Sequence, residues 1–454
     1  MRLARWITLP LVLCAACAVQ NPRYEPPEQM PPIVARQREL SEDAGDKVLQ
    51  KALEQYKDDT AVLELVDSVR RYSTAPLTVG NRVSVLIDGP QTYSAIEAAL
   101  RAARRDIHIE TFIYGAGDVG QRFADLLAQK RKEGLEVRLL YDSLGSRETP
   151  RDFFDKLRAQ NVEVREFRPL NPVKTPEVWK LQNRDHRKII VVDGQIGFTG
   201  GINIDSTYES ASTSKPGPER GLEDGWRDTH IEIQGPAVTQ LQTLFVESWH
   251  QAGAQDDFSD KEKYFPAIKP AGDNLVTIVA NDSESDDRSL YATYVAAFTR
   301  SSKRLWITHA YFAPSEELLT ALIDAAQRGV DVRLIVPSFT DSRVVLNATQ
   351  ATFTRLLKAG VKIYELKDAL LHAKSVVVDG TVTIIGSANL DMRSFLHNDE
   401  VNAIVISRDT AQKMEQVFQR DQQAARPVEL KAWERRSIWQ RTKEFFVNMF
   451  SYWI

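Results

Sequence analysis

HRKIIVVDGQIGFTGGIN, residues 186–203, returns at residues 372–389 as HAKSVVVDGTVTIIGSAN. Each copy has a histidine (His186, His372), a lysine two residues on (Lys188, Lys374) and an aspartate five further (Asp193, Asp379). A glycine follows seven residues later (Gly200, Gly386), then an asparagine after three (Asn203, Asn389). The residues between are apolar and β-branched, which favours strands. Side chains at i and i+2 of a strand share a face, so each copy presents an imidazole beside an ammonium. Asp193 and Asp379 fall on the opposite parity and read as structural. The glycine and asparagine mark where the chain turns back beside the strand.

The repetition extends outward from this stretch. From residue 81 the pattern runs VSVLID (strand), TYSAIEAALRAARR (helix), DIHIETFIY (strand), VGQRFADLLAQKRKEG (helix), LEVRLLYDS (strand), FFDKLRAQN (helix) and VEVREF (strand). From residue 274 the same order returns, with LVTIVAN, LYATYVAAFTRSSKR, LWITHAYF, SEELLTALIDAAQRG, VDVRLIVPS, TFTRLLKAG and VKIYEL. Alternating strands and helices imply an α/β fold: two pseudo-symmetric units with mostly parallel sheets flanked by helices, the shared stretches meeting between them. The expected divisions are a leader (1–17), a Pro-rich tether with a helical prelude (18–80), a first half (81–255), a joint (256–273), a second half (274–426) and a tail (427–454).

One histidine on an apolar strand reads as a packed, hydrogen-bonded residue. Two histidines and two lysines at matched positions read as a single phosphate site. Lysine supplies point charge for phosphate oxygens. Histidine can attack phosphorus when neutral and donate a proton when charged, close to physiological pH. Asn203 and Asn389 can donate amide hydrogens to the phosphoryl oxygens. His108, His230, His250, His309 and His397 read as packing or surface residues. No His and carboxylate spacing suggests a metal site. The formal net charge of −4 and the lack of a Lys/Arg run argue against a nucleic-acid groove.

The doubled HxKxxxxDxxxxxxG(G/S)xN pattern resembles the phospholipase D superfamily, over about residues 81–408. The resemblance implies covalent catalysis through a phosphohistidine, with no metal and no cofactor. It implies that one of His186 and His372 is the nucleophile and the other the acid that protonates the leaving group, then activates the acceptor; His186 is taken here as the nucleophile. Lys188, Lys374, Asn203, Ser387 and Asn389 would hold the phosphoryl group. Asp228 and Glu400 would orient the histidines through their other ring nitrogen. Gly201 stands where the second copy has Ser387, which implies one phosphate contact fewer on that side.

SANLDMRSFLHNDEVNAIV, WRDTHIEIQGPAV, ETFIY, LLYDSLGS and ITHAYFAPS are most similar to the bacterial cardiolipin synthase subgroup. That implies transfer of a phosphatidyl group from one phosphatidylglycerol to another, with release of glycerol. The substrate would be membrane phospholipid, the working surface a membrane, and no nucleic acid would be bound. The alternative within the superfamily is a phospholipase D yielding phosphatidic acid. A secreted phosphodiesterase or nuclease, and a binding scaffold without activity, are further readings.

The ends bear on placement. MRLARWITLPLVLCAACAVQ carries Arg2 and Arg5, a short apolar run and small residues before Cys17. It resembles a bacterial lipoprotein signal, with Cys14 as a departure, and implies lipidation at Cys17. The expectation is a lipid-anchored protein of the bacterial cell envelope, facing the periplasm. The tail from Lys431 mixes Arg435, Arg436, Arg441 and Lys443 with Trp433, Trp439, Phe445, Phe446, Phe450, Tyr452 and Trp453. That mixture suits a membrane interface, or a helix docked on the body.

Overall fold

The computed structural model describes residues 38–170, 182–210 and 225–437, with residues 22, 24, 25, 27 and 29–35 ahead of them. Each half is built on the same order of strands. In the first half the order across the sheet is Glu163–Phe167, Glu136–Asp142, Asp106–Thr111, Ile189–Val192, Ile196–Gly200, Thr229–Gln234 and Leu77–Ile87. In the second it is Lys362–Leu366, Asp331–Pro337, Arg304–His309, Lys374–Val378, Val382–Gly386, Asn398–Ile406 and Asn274–Asn281.

The halves are α/β as the alternation implies, but each sheet is mixed rather than mostly parallel. Helical crossovers make the first three strands of each order parallel. From the repeated stretch onward the pairing is antiparallel, and within each stretch a tight turn joins the two strands. Asp193-Gly194 and Asp379-Gly380 make those turns, with φ of 53° and 60° in the first and 51° and 64° in the second. Each turn is closed by an N–H donated back to a carbonyl, from Gln195 to Val192 and from Thr381 to Val378, and the positive φ at both of its central residues is one that Asp-Gly supplies at low cost. Each aspartate therefore leaves the strand rather than alternating along it.

The two sheets meet at Leu77–Ile87. Its C-terminal part pairs with Thr229–Gln234, while Thr78 and Val79 pair with Val276 and Leu275 of the second half. The apolar core continues across this seam, where Val83, Ile231 and Ile233 cluster with Val276, Ile278, Val401 and Ala403. Two smaller crossings lie beside the repeated stretches. Arg184 and Asp185 pair with Asn398 and Asp399, and Arg227 bridges to Leu371.

The helical prelude, Glu42–Ala52 and Thr60–Ser73, packs Leu65, Val66 and Val69 into the second-half core with Tyr294 and Phe298. The Pro-rich stretch is not a free tether throughout. Tyr24 lies edge-on to Tyr72 and Tyr291, and its hydroxyl donates to Glu317 Oε1 at 3.1 Å. An extended chain can lay an aromatic side chain on a neighbouring core, and this one does. The polar joint is likewise anchored, with Phe258, Tyr264 and Ile268 buried in the core. At the start of the tail Trp433 packs on Phe353 and Arg436 donates to the Thr354 hydroxyl, so residues 430–436 dock on helix Arg343–Ala359. The remaining tail aromatics lie outside the described residues, as does Cys17.

Candidate active site

His186 and His372 stand just ahead of strands Ile189–Val192 and Lys374–Val378, at the centre of the two-half body. Each backbone is held by the other half. The His186 N–H donates to the Asp399 carbonyl at 2.9 Å, and the His372 N–H to the Arg227 carbonyl at 2.8 Å. The carboxylates cross in the same way. His186 Nδ1 lies 3.0 Å from both Glu400 oxygens, and His372 Nδ1 lies 2.7 Å from Asp228 Oδ2. Each half thus provides the acid for the other half's histidine. A carboxylate at Nδ1 keeps the proton there and leaves Nε2 with its lone pair. Neither Nε2 has a protein partner among the described residues, and the side chains remain 10% and 11% exposed.

Glu400 and Asp228 are fully buried, so their own partners matter. Ser387 Oγ donates to Glu400 Oε2 at 2.5 Å, Ser394 Oγ to Oε1 at 2.8 Å and Asn398 Nδ2 to Oε1 at 3.3 Å. Asp228 accepts from the Thr229 N–H at 2.7 Å. Burial raises both carboxyls, but the paired histidine and the neighbouring lysine outweigh it and hold both below their ordinary values. These contacts give a different reason for the Gly201–Ser387 difference. The Ser387 hydroxyl fixes Glu400 instead of facing phosphate. At Gly201 a Cβ would lie 2.2 Å from Asp228 Oδ1, so the shorter acid occupies the space a serine would need.

Lys188 Nζ donates to the His186 carbonyl at 2.7 Å, and Lys374 Nζ to the His372 carbonyl. Burial pushes Lys188 down to about 7, with the charge of Lys374 adding to the effect, and burial pushes Lys374 down to about 8. Burial also pushes His186 down to about 4, against the pull of Glu400, and lowers His372. The four groups form an electropositive pocket whose charge is costly until an anion enters.

Asn203 is occupied in the structure. Its Oδ1 accepts from the Ile113 N–H at 3.1 Å and its Nδ2 donates to the Tyr208 hydroxyl at 3.0 Å. Asn389 differs: its Oδ1 is buried without a hydrogen-bond partner among the described residues. Asp193 accepts the N–H groups of Arg104, Arg105 and Asp106, and Asp379 those of Ser302, Lys303 and Arg304. Both pin the loop that enters the neighbouring strand.

Sequence reasoning missed the aromatic collar. Phe112 stands edge-on to His186 at 4.8 Å, while Tyr208 and Trp226 stand 5.8 and 5.2 Å from His372. The Tyr208 hydroxyl also lies 3.2 Å from His372 Nδ1. No motif signals these residues; the fold alone gathers them. Of the other histidines, His108 stacks on Phe245 at 4.6 Å and bonds Gln242 at 3.0 Å, a packing role. Among the described residues no group of three His, Cys, Asp or Glu side chains could hold a metal ion.

Residues 96–213 and 294–422 match the family described as Cardiolipin synthase, PLD-like domain. The chain is 36% identical over 399 residues to cardiolipin synthase 1 of Bacillus cereus, covering 86% of this chain and 76% of that one. Cardiolipin synthases of Geobacillus kaustophilus (35% over 382 residues, 84% and 74% covered) and Listeria monocytogenes (34% over 378 residues, 83% and 76% covered) are similar. The fold is shared with a phosphatidylserine synthase from Haemophilus influenzae, with a TM-score of 0.63, 15% identity and coverage of 87% and 97%.

These relatives correct one expectation. The lipid-anchored, periplasm-facing placement does not hold: the relatives are cardiolipin synthases of Bacillus, Geobacillus and Listeria, and none is described as a lipoprotein. The leader on which that reading rested lies outside the described residues. Among the described residues no helix is long and apolar enough to cross a membrane. With its doubled motif and this similarity along most of its length, the chain is a phosphatidyltransferase-type enzyme of the cardiolipin synthase family, within the phospholipase D superfamily.

Proposed function

We propose that the enzyme makes cardiolipin from two phosphatidylglycerol molecules, releasing one glycerol, through a phosphohistidine on His186. The crossed pairs His186–Glu400 and His372–Asp228, each with a buried lysine bonded to the histidine's own carbonyl, carry this reading. Lys188 and Lys374 neutralise the phosphodiester, and Asn389 offers its amide to a phosphoryl oxygen. His186 Nε2 attacks phosphorus as the P–O bond to the departing glycerol breaks. His372 gives that oxygen a proton. The second phosphatidylglycerol then brings its terminal hydroxyl to the same side. His372 takes the hydroxyl proton, the new P–O bond forms and the P–N bond breaks. Glu400 supports the positive charge that His186 carries while bonded to phosphorus.

Burial of His186 favours its neutral form, as a nucleophile needs. The bound phosphate monoanion offsets the lysine charges and lets His372 hold a proton. Asp228 at 2.7 Å and the Tyr208 hydroxyl at 3.2 Å anchor that ring for the acid–base role. Because the substrate sits in a bilayer, the enzyme works at a membrane surface. The relatives favour transfer to lipid over hydrolysis to phosphatidic acid.

The test is product analysis after incubating purified protein with phosphatidylglycerol vesicles. Cardiolipin and glycerol in equal amounts are expected. Phosphatidic acid and glycerol without cardiolipin would overturn the synthase reading.

A further inference from the structure

Resting on that reading, we infer that Asp341, held by Tyr311 and Thr340, accepts a hydroxyl of the glycerol headgroup beside His372 and so selects polyol over simple alcohols and water. The loop 338–342 follows strand Asp331–Pro337, at the same end of the second-half sheet as His372, which precedes strand Lys374–Val378. Asp341 is exposed. Its Oδ1 accepts from the Tyr311 hydroxyl at 2.5 Å and the Thr340 hydroxyl at 2.8 Å. No protein donor to its Oδ2 is seen among the described residues. Tyr311 is itself tied to the site. Its carbonyl accepts from the Leu390 N–H at 3.2 Å, next to Asn389, and the Ala310 N–H donates to the Ala373 carbonyl at 2.9 Å, between His372 and Lys374.

The charge of Asp341 reaches the catalytic pair. Burial raises its carboxyl, but the two hydroxyls and His372 hold it below its ordinary value, and Asp341 in turn favours the charge on Lys374. A carboxylate at the rim of a site for an anionic lipid repels that substrate. Hydrogen bonding to a substrate hydroxyl gives it a favourable role, since an ionised acceptor forms a stronger bond than a neutral one.

The two halves differ here in a telling way. Ile107 and Leu305 hold equivalent places, opposite Val192 and Val378, which sets Tyr311 against Ile113. Asp142 and Pro337 end equivalent strands, which sets Asp341 against Ser146. Ser146 is spent on backbone, accepting from the Tyr114 N–H at 2.9 Å and donating to the Phe112 carbonyl at 3.2 Å. The acid thus stands only beside His372, where the alcohol leaves and where its replacement arrives.

The experiment uses the full chain with phosphatidylglycerol vesicles, in the presence of equal concentrations of labelled glycerol and 1-propanol. Transfer to either alcohol breaks the P–N bond, forms a P–O bond and passes the alcohol proton to His372. The wild type is expected to favour glycerol. Asp341→Ala should lower the glycerol-to-propanol ratio by about tenfold, the loss of roughly one hydrogen bond. Asp341→Asn, which keeps an acceptor without the charge, should fall between. An unchanged ratio in both variants would overturn the inference. Complete loss of transfer in both, with native thermal melts, would also overturn it by placing Asp341 in the phosphoryl chemistry. Failure of the wild type to form cardiolipin would instead count against the reaction itself.

Discussion

Gly201→Ser makes the first copy of the motif match the second, and the structure expects it to damage the enzyme. Read from the motif alone, the change restores a hydroxyl beside the phosphate. In the structure the new Cβ would lie 2.2 Å from Asp228 Oδ1, 2.6 Å from Oδ2 and 2.7 Å from Cγ. Real Cβ contacts do not approach so closely, so Asp228 must move. It is fully buried and has only short reach, and its movement breaks the 2.7 Å contact with His372 Nδ1. A hydrogen bond to a charged group contributes roughly 1.5–3 kcal/mol, so cardiolipin formation should fall about 10- to 150-fold. The loss should appear mainly in kcat, because the lysines that bind the phosphate are untouched. The assay is cardiolipin release from phosphatidylglycerol vesicles, alongside a thermal melt to show that the variant is folded. Wild-type or higher activity in Gly201→Ser would refute the crossed-acid geometry.

Other outcomes follow from the same contacts. Lys188 and Lys374 titrate at about 7 and about 8 in the folded chain, so kcat/KM for phosphatidylglycerol should fall as pH rises through that range, and a flat profile to pH 9 would contradict this. The stability sign is opposite: the unfolded chain holds these protons up to the ordinary lysine value, so the folded state gains stability as pH rises from about 7 towards that value. Lys188→Met should therefore raise the melting temperature at pH 7 while abolishing turnover, and a lower melting temperature would count against the cost assigned to that charge. Asp193→Ala removes the acceptor of three backbone N–H groups and puts a Cβ residue of poor left-handed propensity at φ 53°, so a loss of about 2–4 kcal/mol is expected in denaturant melts, with Asp193→Asn much milder. Turnover should persist after dialysis against a chelator; its complete loss, restored by a divalent cation, would contradict a mechanism run by the histidines and lysines alone.

The doubled stretch made the repeat, the α/β class and the cast of the site legible in sequence, because strand periodicity and matched spacing are local signals. What stayed hidden was relational. Spacing places Glu400 three strands' worth of chain after His372, yet the fold hands it to His186, since the halves exchange strand ends at Asp399 and Arg227. The role of Ser387 was hidden for the same reason, as only a placed Glu400 shows where its hydroxyl points. The Asp-Gly turns were visible as residues, and reading them would have predicted the one antiparallel hairpin inside each repeated stretch. Tyr208, Trp226 and Phe112 carry no spacing signal and reach the histidines from two connections, the one after strand Asp106–Thr111 and the one between Gly200 and Thr229. The ends of the chain misled most: a lipoprotein-like leader suggested a placement that the relatives do not share.

The central claim is that the halves form one phosphoryl site in which His186 carries the phosphatidyl group. Its most direct measurement is to mix the enzyme with phosphatidylglycerol labelled at phosphorus, quench within a turnover and map the bound label by peptide. The account predicts an acid-labile, base-stable label on the peptide holding His186, absent from His186→Ala. Label on His372, or on a residue other than histidine, would contradict it.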